Sequence, residues 1–190
     1  MWRPSPNFSS REGFKPEAVV LHIGEGSLEA IASHFKSPTS QVSAHYGVGH
    51  NGEVDQYVKE EKSAWHAGQT DRPTWKLLKP NKNPNWYTIG IEHEGYFDEE
   101  WPEAQKIASA NLIKDICKRW NIPIDREHII GHYEIKKTKP NCPAKNKGII
   151  DELIERASKS DEKKIEELKI QLSLLQRLVA LWQQLRNLKI

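Results

Sequence analysis

Glu17-Ala-Val-Val-Leu-His-Ile23 is the stretch from which the fold can be read. It is short, apolar and rich in β-branched residues, and Gly24-Glu-Gly26 interrupts the chain directly after it. Such a run is a buried strand. His22 sits near its C-terminal end. In a fold of sheet and helices, ligands gather at the carboxyl ends of strands, so His22 is either a metal ligand or a core histidine satisfied by its neighbours.

Working outward, Ser27 is placed to cap a helix over Leu28–Lys36, with Leu28, Ile31, Ala32 and Phe35 on one face. Ser43 to Val58 reads as a β-hairpin turning at Asn51-Gly52. Thr88-Ile-Gly-Ile-Glu-His-Glu94 is a second strand, with Ile89 and Ile91 on one face and Thr88, Gly90 and Glu92 on the other. Pro102 opens a helix to about Trp120, whose apolar stripe runs through Ala104, Ala108, Leu112 and Ile116, widened by Ile107 and Ile113. His128-Ile-Ile-Gly131 is a last short strand, and residues 148–157 form another helix. The expected architecture is α/β, a central mixed sheet flanked by helices. Its parts are an extended arm over 1–16, a domain over 17–157, a linker over 158–160 and a separate helix over 161–190.

The last strand leads into Gly131-His-Tyr-Glu-Ile-Lys-Lys-Thr-Lys-Pro-Asn-Cys-Pro143. Pro140 and Pro143 restrict the backbone around Cys142. A histidine and a thiolate in fixed geometry suit zinc, which takes nitrogen and sulfur ligands. With His22 as a third ligand, the set would leave one position open, as catalytic zinc sites do. The alternative is a buried free cysteine beside an unrelated histidine.

The 190 residues carry 28 Lys+Arg against 26 Asp+Glu, a net charge of +2, so nothing in the overall charge points to nucleic acid. Lys136, Lys137, Lys139, Lys145 and Lys147 nevertheless form a local basic rim, or simply a solvated loop. Two cysteines exclude a disulfide framework, and Cys117 falls in the helix as a small apolar residue. Met-Trp-Arg-Pro-Ser-Pro has no apolar signal core, and no transmembrane run is present. The expectation is synthesis in the cytoplasm, with another exit route for any action outside it. Trp65-His66-Ala67-Gly68 reads as an exposed Trp-His pair suited to substrate, or as a core tryptophan beside a surface histidine. Residues 71–86 are a long aromatic loop of the kind that is often functional.

Four separated segments, taken in order, resemble one family. They are Val-Val-Leu-His22; Ser-Ala-His-Tyr46 followed by Asn-Gly52 and Trp-His-Ala-Gly68; Thr-Ile-Gly-Ile-Glu92; and Gly-His132-Tyr-Glu with Asn-Cys142-Pro. Over roughly residues 17–155 the chain resembles the zinc-dependent N-acetylmuramoyl-L-alanine amidases, which include phage endolysins and share a fold with peptidoglycan recognition proteins. The resemblance implies zinc held by His22, His132 and Cys142, and hydrolysis of the amide joining N-acetylmuramic acid to L-alanine in peptidoglycan. It implies Glu92 as the general base. It also implies Lys139 as oxyanion donor, and His66, Asn85 and Trp86 as residues lining the glycopeptide groove. Two departures stand out. One branch of the family uses a tyrosine where this chain has Ala44, with Tyr46 two residues on, and lacks a glutamate at position 92; this chain resembles the glutamate branch. The family also often places a lysine two residues before the third ligand, where Pro140 stands here, and the nearest is Lys139.

Beyond the resemblance, Ile165, Leu168, Leu172, Leu175, Val179 and Trp182 form a heptad seam, with Leu174, Leu178, Leu181, Leu185 and Leu188 as a second stripe. A helix of ~45 Å with so wide an apolar face implies an oligomerising helix and a homo-oligomer. The expected function is a phage or prophage lytic amidase acting on the cell wall. The alternatives are a wall-recycling amidase, a non-catalytic peptidoglycan-binding protein, a thiol hydrolase built on Cys142 and His132, and an assembly protein on an old enzyme fold.

Overall fold

The computed structural model describes residues 1–187, with side-chain surroundings for all of these except 160–168, 180–181 and 184–187. In chain order the elements are β1 (Phe8–Ser9), β2 (Ala18–Ile23), α1 (Leu28–Lys36), β3 (Tyr46–Val48), β4 (Val54–Gln56), β5 (Ser63–Ala64), β6 (Thr88–His93), α2 (Glu103–Trp120), β7 (Ile129–Gly131) and α3 (Gly148–Asn187). The main sheet has the order β4-β3-β6-β2-β7. Only the hairpin pair β3–β4 is antiparallel; β3–β6, β6–β2 and β2–β7 are parallel. This is a mixed α/β sheet with helices against it, and β2 and β6 are its centre.

Strand alternation assigns the two faces. Val19, Leu21 and Ile23 of β2 join Ile89 and Ile91 of β6 and Ile129 of β7 in a core with Ile113 and Ile116 of α2 and Ile150 and Leu153 of α3. The opposite face holds Ala18, Val20 and Ile130 with Ala67, Trp75, Tyr87 and Ile135. His22, Glu92 and His132 share the parity of this second set. Each sits at or just beyond the carboxyl end of its strand, and that shared parity is what gathers them.

Three expectations need adjusting. The buried face of α2 is Gln105, Ser109, Ala110, Ile113, Ile116 and Cys117, while Ile107 is 49% exposed. Apolar periodicity misses this face because two of its residues are polar. Gln105 Nε2 donates to the Val48 and Glu94 carbonyls at 3.0 and 2.9 Å, and Ser109 Oγ bonds His93 Nε2 at 2.8 Å. Burial of polar groups is tolerated when partners are supplied, and here they close off groups at the ends of the sheet strands.

The second adjustment is the expected linker at 158–160, which is helical: α3 runs unbroken from Gly148 to Asn187. Ser158-Lys-Ser-Asp161 contains no proline or glycine, and serine and lysine cost a helix only a few tenths of a kcal/mol each. Leu188 of the expected second stripe lies outside the described residues. The chain divides into two compact units, Met1–Ala157 and a second beginning at Ser158.

The third concerns residues 1–16. They are extended, but they belong to the first unit rather than standing apart from it. Ser5, Asn7 and Arg11 are buried. β1 pairs antiparallel with β5, and the Arg3 and Ser5 N–H groups donate to the Gln56 and Tyr57 carbonyls. Arg11 donates to the carbonyls of Glu60 and Trp86 at 2.7 and 2.8 Å. Among the described residues, no helix is long and apolar enough to cross a membrane.

Candidate metal centre and active site

His22 and Glu92 are register partners across the parallel pair β2–β6, so their side chains leave the sheet side by side. β7 delivers His132 as the first residue of a 3-10 turn, His132–Glu134. Glu134 fixes that turn: its Oε1 accepts the Gly131 N–H at 2.9 Å and pairs with Arg126 at 2.9 Å. The following loop folds back so that the Tyr133 N–H donates to the Cys142 carbonyl, and the Cys142 N–H to the Lys139 carbonyl. Two backbone hydrogen bonds thus bring the third residue of the group to the first two.

His22, His132 and Cys142 are all buried, and one ligand atom from each lies within 4.8 Å of the others. His22 Nδ1 is 3.1 Å from His132 Nδ1, and Cys142 Sγ is 4.0 Å from His22 Nδ1. His132 Nε2 lies 3.1 Å from the Ala67 carbonyl. A carbonyl only accepts, so Nε2 carries the proton. Burial pushes His132 down to about 4, so at neutral pH its Nδ1 is a bare lone pair. Burial, and next to it the neighbouring His132, holds His22 well below the ordinary histidine range. Cys142 is pushed up to about 12, by burial first and then by Glu92. A thiolate at this position therefore requires a nearby cation. Two neutral imidazoles and one such sulfur are a donor set that fits zinc.

Glu92 lies beside this group. Its Oε2 is buried without a hydrogen-bond partner among the described residues, and the carboxyl is raised to about 8. Burial is the main cause; Lys139 opposes the shift and Glu25 adds to it. The cluster forms the floor of an open pocket of about 820 Å³, whose walls include Glu25, Phe97, Trp65, Lys136 and Lys139.

The other expected residues divide. Lys139 lines the pocket. Asn85 lines it too, but its Oδ1 accepts the backbone N–H groups of His66 and Ala67 at 3.3 and 2.8 Å. His66, expected to line the groove, does line the pocket, but it is only 9% exposed and lies within hydrogen-bonding distance of His22. Trp86 is absent from the described pocket lining; its ring stacks on Phe14 at 5.9 Å. Two contributors escaped sequence reasoning, the Ala67 carbonyl and the Thr88 hydroxyl. A backbone carbonyl carries no sequence signal, but Thr88 shares its strand face with Glu92, and that parity was a usable signal.

A sequence model of the family described as N-acetylmuramoyl-L-alanine amidase matches residues 12–145. The chain is 40% identical over 124 residues to N-acetylmuramoyl-L-alanine amidase A of Achromobacter lyticus, a match covering 63% of this chain and 62% of that protein. It therefore spans less than two thirds of that relative. The crystal structure of a selenomethionine derivative of AmpD superposes with a TM-score of 0.64 at 27% identity, covering 80% of this chain and 92% of that one. A mutant endolysin from Bacillus subtilis gives a TM-score of 0.64 at 21% identity, covering 83% and 97%, a likeness of fold. With the match running through the strands that carry His22, Glu92 and His132 and on to Cys142, the chain belongs to the N-acetylmuramoyl-L-alanine amidase family.

Proposed function

We propose that this protein is a zinc-dependent hydrolase of the amide between N-acetylmuramic acid and L-alanine in bacterial peptidoglycan, of the endolysin kind. The observation that carries the reading is the approach of two imidazole Nδ1 atoms to 3.1 Å beside a buried thiol, with the Glu92 carboxyl in register with His22 on the neighbouring strand. His22, His132 and Cys142 would hold the ion, which when bound polarises the scissile carbonyl and acidifies water. Glu92 takes a proton from the attacking water as the new C–O bond forms. It returns that proton to the alanine nitrogen as the C–N bond breaks. The Lys139 ammonium, at the pocket wall, supplies positive charge toward the carbonyl oxygen as it becomes anionic.

Purified cell walls test the reading. Digestion should release peptides with new L-alanine amino termini and no new reducing sugar ends. A tight chelator should stop it, and zinc should restore it. Chelator-resistant turnover would instead indicate a thiol hydrolase using Cys142. A second reading is a wall-recycling amidase, favoured by the likeness to AmpD. It predicts cleavage of small soluble muropeptides and no attack on intact walls.

The tail extends the proposal. Leu172, Leu174, Leu175, Leu178, Val179 and Trp182 are each 48–64% exposed. Apolar surface of this extent on a helix calls for a partner, and two adjacent stripes favour three or more helices over a two-stranded coil. We propose that α3 joins copies of the chain through its part beyond Ala157. Removal of residues 158–190 is expected to give a monomer that still cleaves soluble substrate but loses avidity for intact walls, because linked sites raise effective concentration. Light scattering on both forms checks this; a full-length monomer at micromolar concentration would end the assembly idea.

A further inference from the structure

His66 is close to His22 on the side away from His132. His22 Nε2 is 3.0 Å from His66 Nδ1, and His66 Nε2 is 3.1 Å from Thr88 Oγ1. Thr88 Oγ1 in turn donates to the Pro84 carbonyl at 2.8 Å. Followed from its far end, this chain has one solution. The Pro84 carbonyl only accepts, so the single hydroxyl proton of Thr88 points at it. Thr88 Oγ1 must then accept from His66, which puts the His66 proton on Nε2 and leaves His66 Nδ1 as an acceptor. His66 Nδ1 can only be satisfied by a proton on His22 Nε2.

We propose that His66 is a positioning residue: held by Thr88, it fixes the proton of His22 on Nε2 and keeps His22 Nδ1 bare for the metal. The proposal rests on the zinc reading given above. The need for such a device follows from the 3.1 Å approach of His22 Nδ1 to His132 Nδ1. If His22 carried its proton on Nδ1, it would donate to His132 Nδ1 and close the site with an internal hydrogen bond. The relay removes that competing state.

Two further features belong to the same device. A Cβ on Gly90 would lie 2.4 Å from His66 Cγ and 2.7 Å from its Nδ1. The absence of a side chain in the middle of β6 is therefore what gives the His66 ring its seat. Asn85 binds the N–H groups of both His66 and Ala67, and Ala67 supplies the carbonyl that fixes the proton of His132. One dipeptide, anchored by one asparagine, thus sets the tautomers of both imidazole ligands. Outer partners of metal-bound histidines act in this way, and their loss typically costs about 10–100-fold in metal affinity.

The test uses full-length, metal-free protein labelled with nitrogen-15. Long-range proton–nitrogen correlations read the tautomer of each ring. The expected result is a proton on Nε2 of both His22 and His66; a His22 proton on Nδ1 overturns the proposal. Zinc affinity by chelator competition is the second readout. Thr88→Val, of nearly the same shape, should weaken zinc binding by about 10-fold or more, and Thr88→Ser should restore it to within about twofold. Valine binding zinc as tightly as threonine also overturns the proposal. Failure of the zinc reading is separable, because the native protein would then take up no zinc while His22 still showed its proton on Nε2. If Thr88→Val does not fold, the tautomer measurement on the native chain still decides.

Discussion

Cys142→Ser is expected to abolish turnover on cell walls and to weaken zinc binding beyond the about 10–100-fold typical of losing an outer partner. Serine keeps the size and polarity of the side chain, so the fold should be unaffected. It loses the soft donor that distinguishes this site from a pair of histidines. The environment of Cys142 adds a second measurable. With the thiol pushed up to about 12 and His132 down to about 4, the histidines enter the complex already neutral while the cysteine must lose its proton. Zinc binding near pH 7 should therefore release the thiol proton, and with it much of the Glu92 proton, since that carboxyl stands at about 8 without the ion. Calorimetry in buffers of different ionisation enthalpy reads the number of protons released. Full activity in the serine variant would remove Cys142 from the site.

The placement of the site was legible where strand parity alone decides it. Alternation along Ala18–Ile23 and Thr88–His93 puts His22 and Glu92 on one face, and the parallel register makes them neighbours. What sequence reasoning could not reach were relations that run between segments through polar atoms. His66 reads as a groove residue, and nothing local announces its partners, which come from Thr88 on β6 and from His22 on β2. Asn85 is expected to face the groove, yet its side chain also turns to the backbone N–H groups of His66 and Ala67, nearly twenty residues back in the same connection. The face of α2 was misjudged for the same reason: Gln105 and Ser109 are buried to satisfy the sheet, and a hydrophobic stripe cannot register them. At Ser158 the expected boundary coincides with the division into two units, while the tetrapeptide itself is helical. Its polar composition suggests a linker, but without proline or glycine nothing in Ser158-Lys-Ser-Asp161 opposes helix.

Glu92→Ala is expected to leave zinc binding intact and to lower turnover by roughly 10²–10⁴-fold, the range for loss of a positioned general base. Metal retention follows from geometry, since the compact donor group is His22, His132 and Cys142 without Glu92. The loss of rate follows from the role of the carboxylate. Its Oε2 is buried with no hydrogen-bond partner among the described residues. On the proposed mechanism, this oxygen takes the proton of the attacking water. Without the ion, burial raises the carboxyl to about 8; a cation held beside it favours the ionised form, which is the form a base needs. Glu92→Gln separates this role from packing, since it keeps the volume and removes the titration. It should lose rate as alanine does. The metal-free glutamine variant should also lose one component of the pH dependence of stability. A carboxyl raised from 4.5 to about 8 on folding stabilises the fold below 4.5, and that contribution is lost as pH rises toward 8. The buried neutral histidines make stability rise with pH up to about 6.5, so the Glu92 component is read as a difference: relative to the glutamine variant, the native protein should lose stability between pH 4.5 and about 8. Alanine and glutamine variants that bind zinc and turn over at the native rate would move the base to another residue, with Lys139 on the pocket wall next in line.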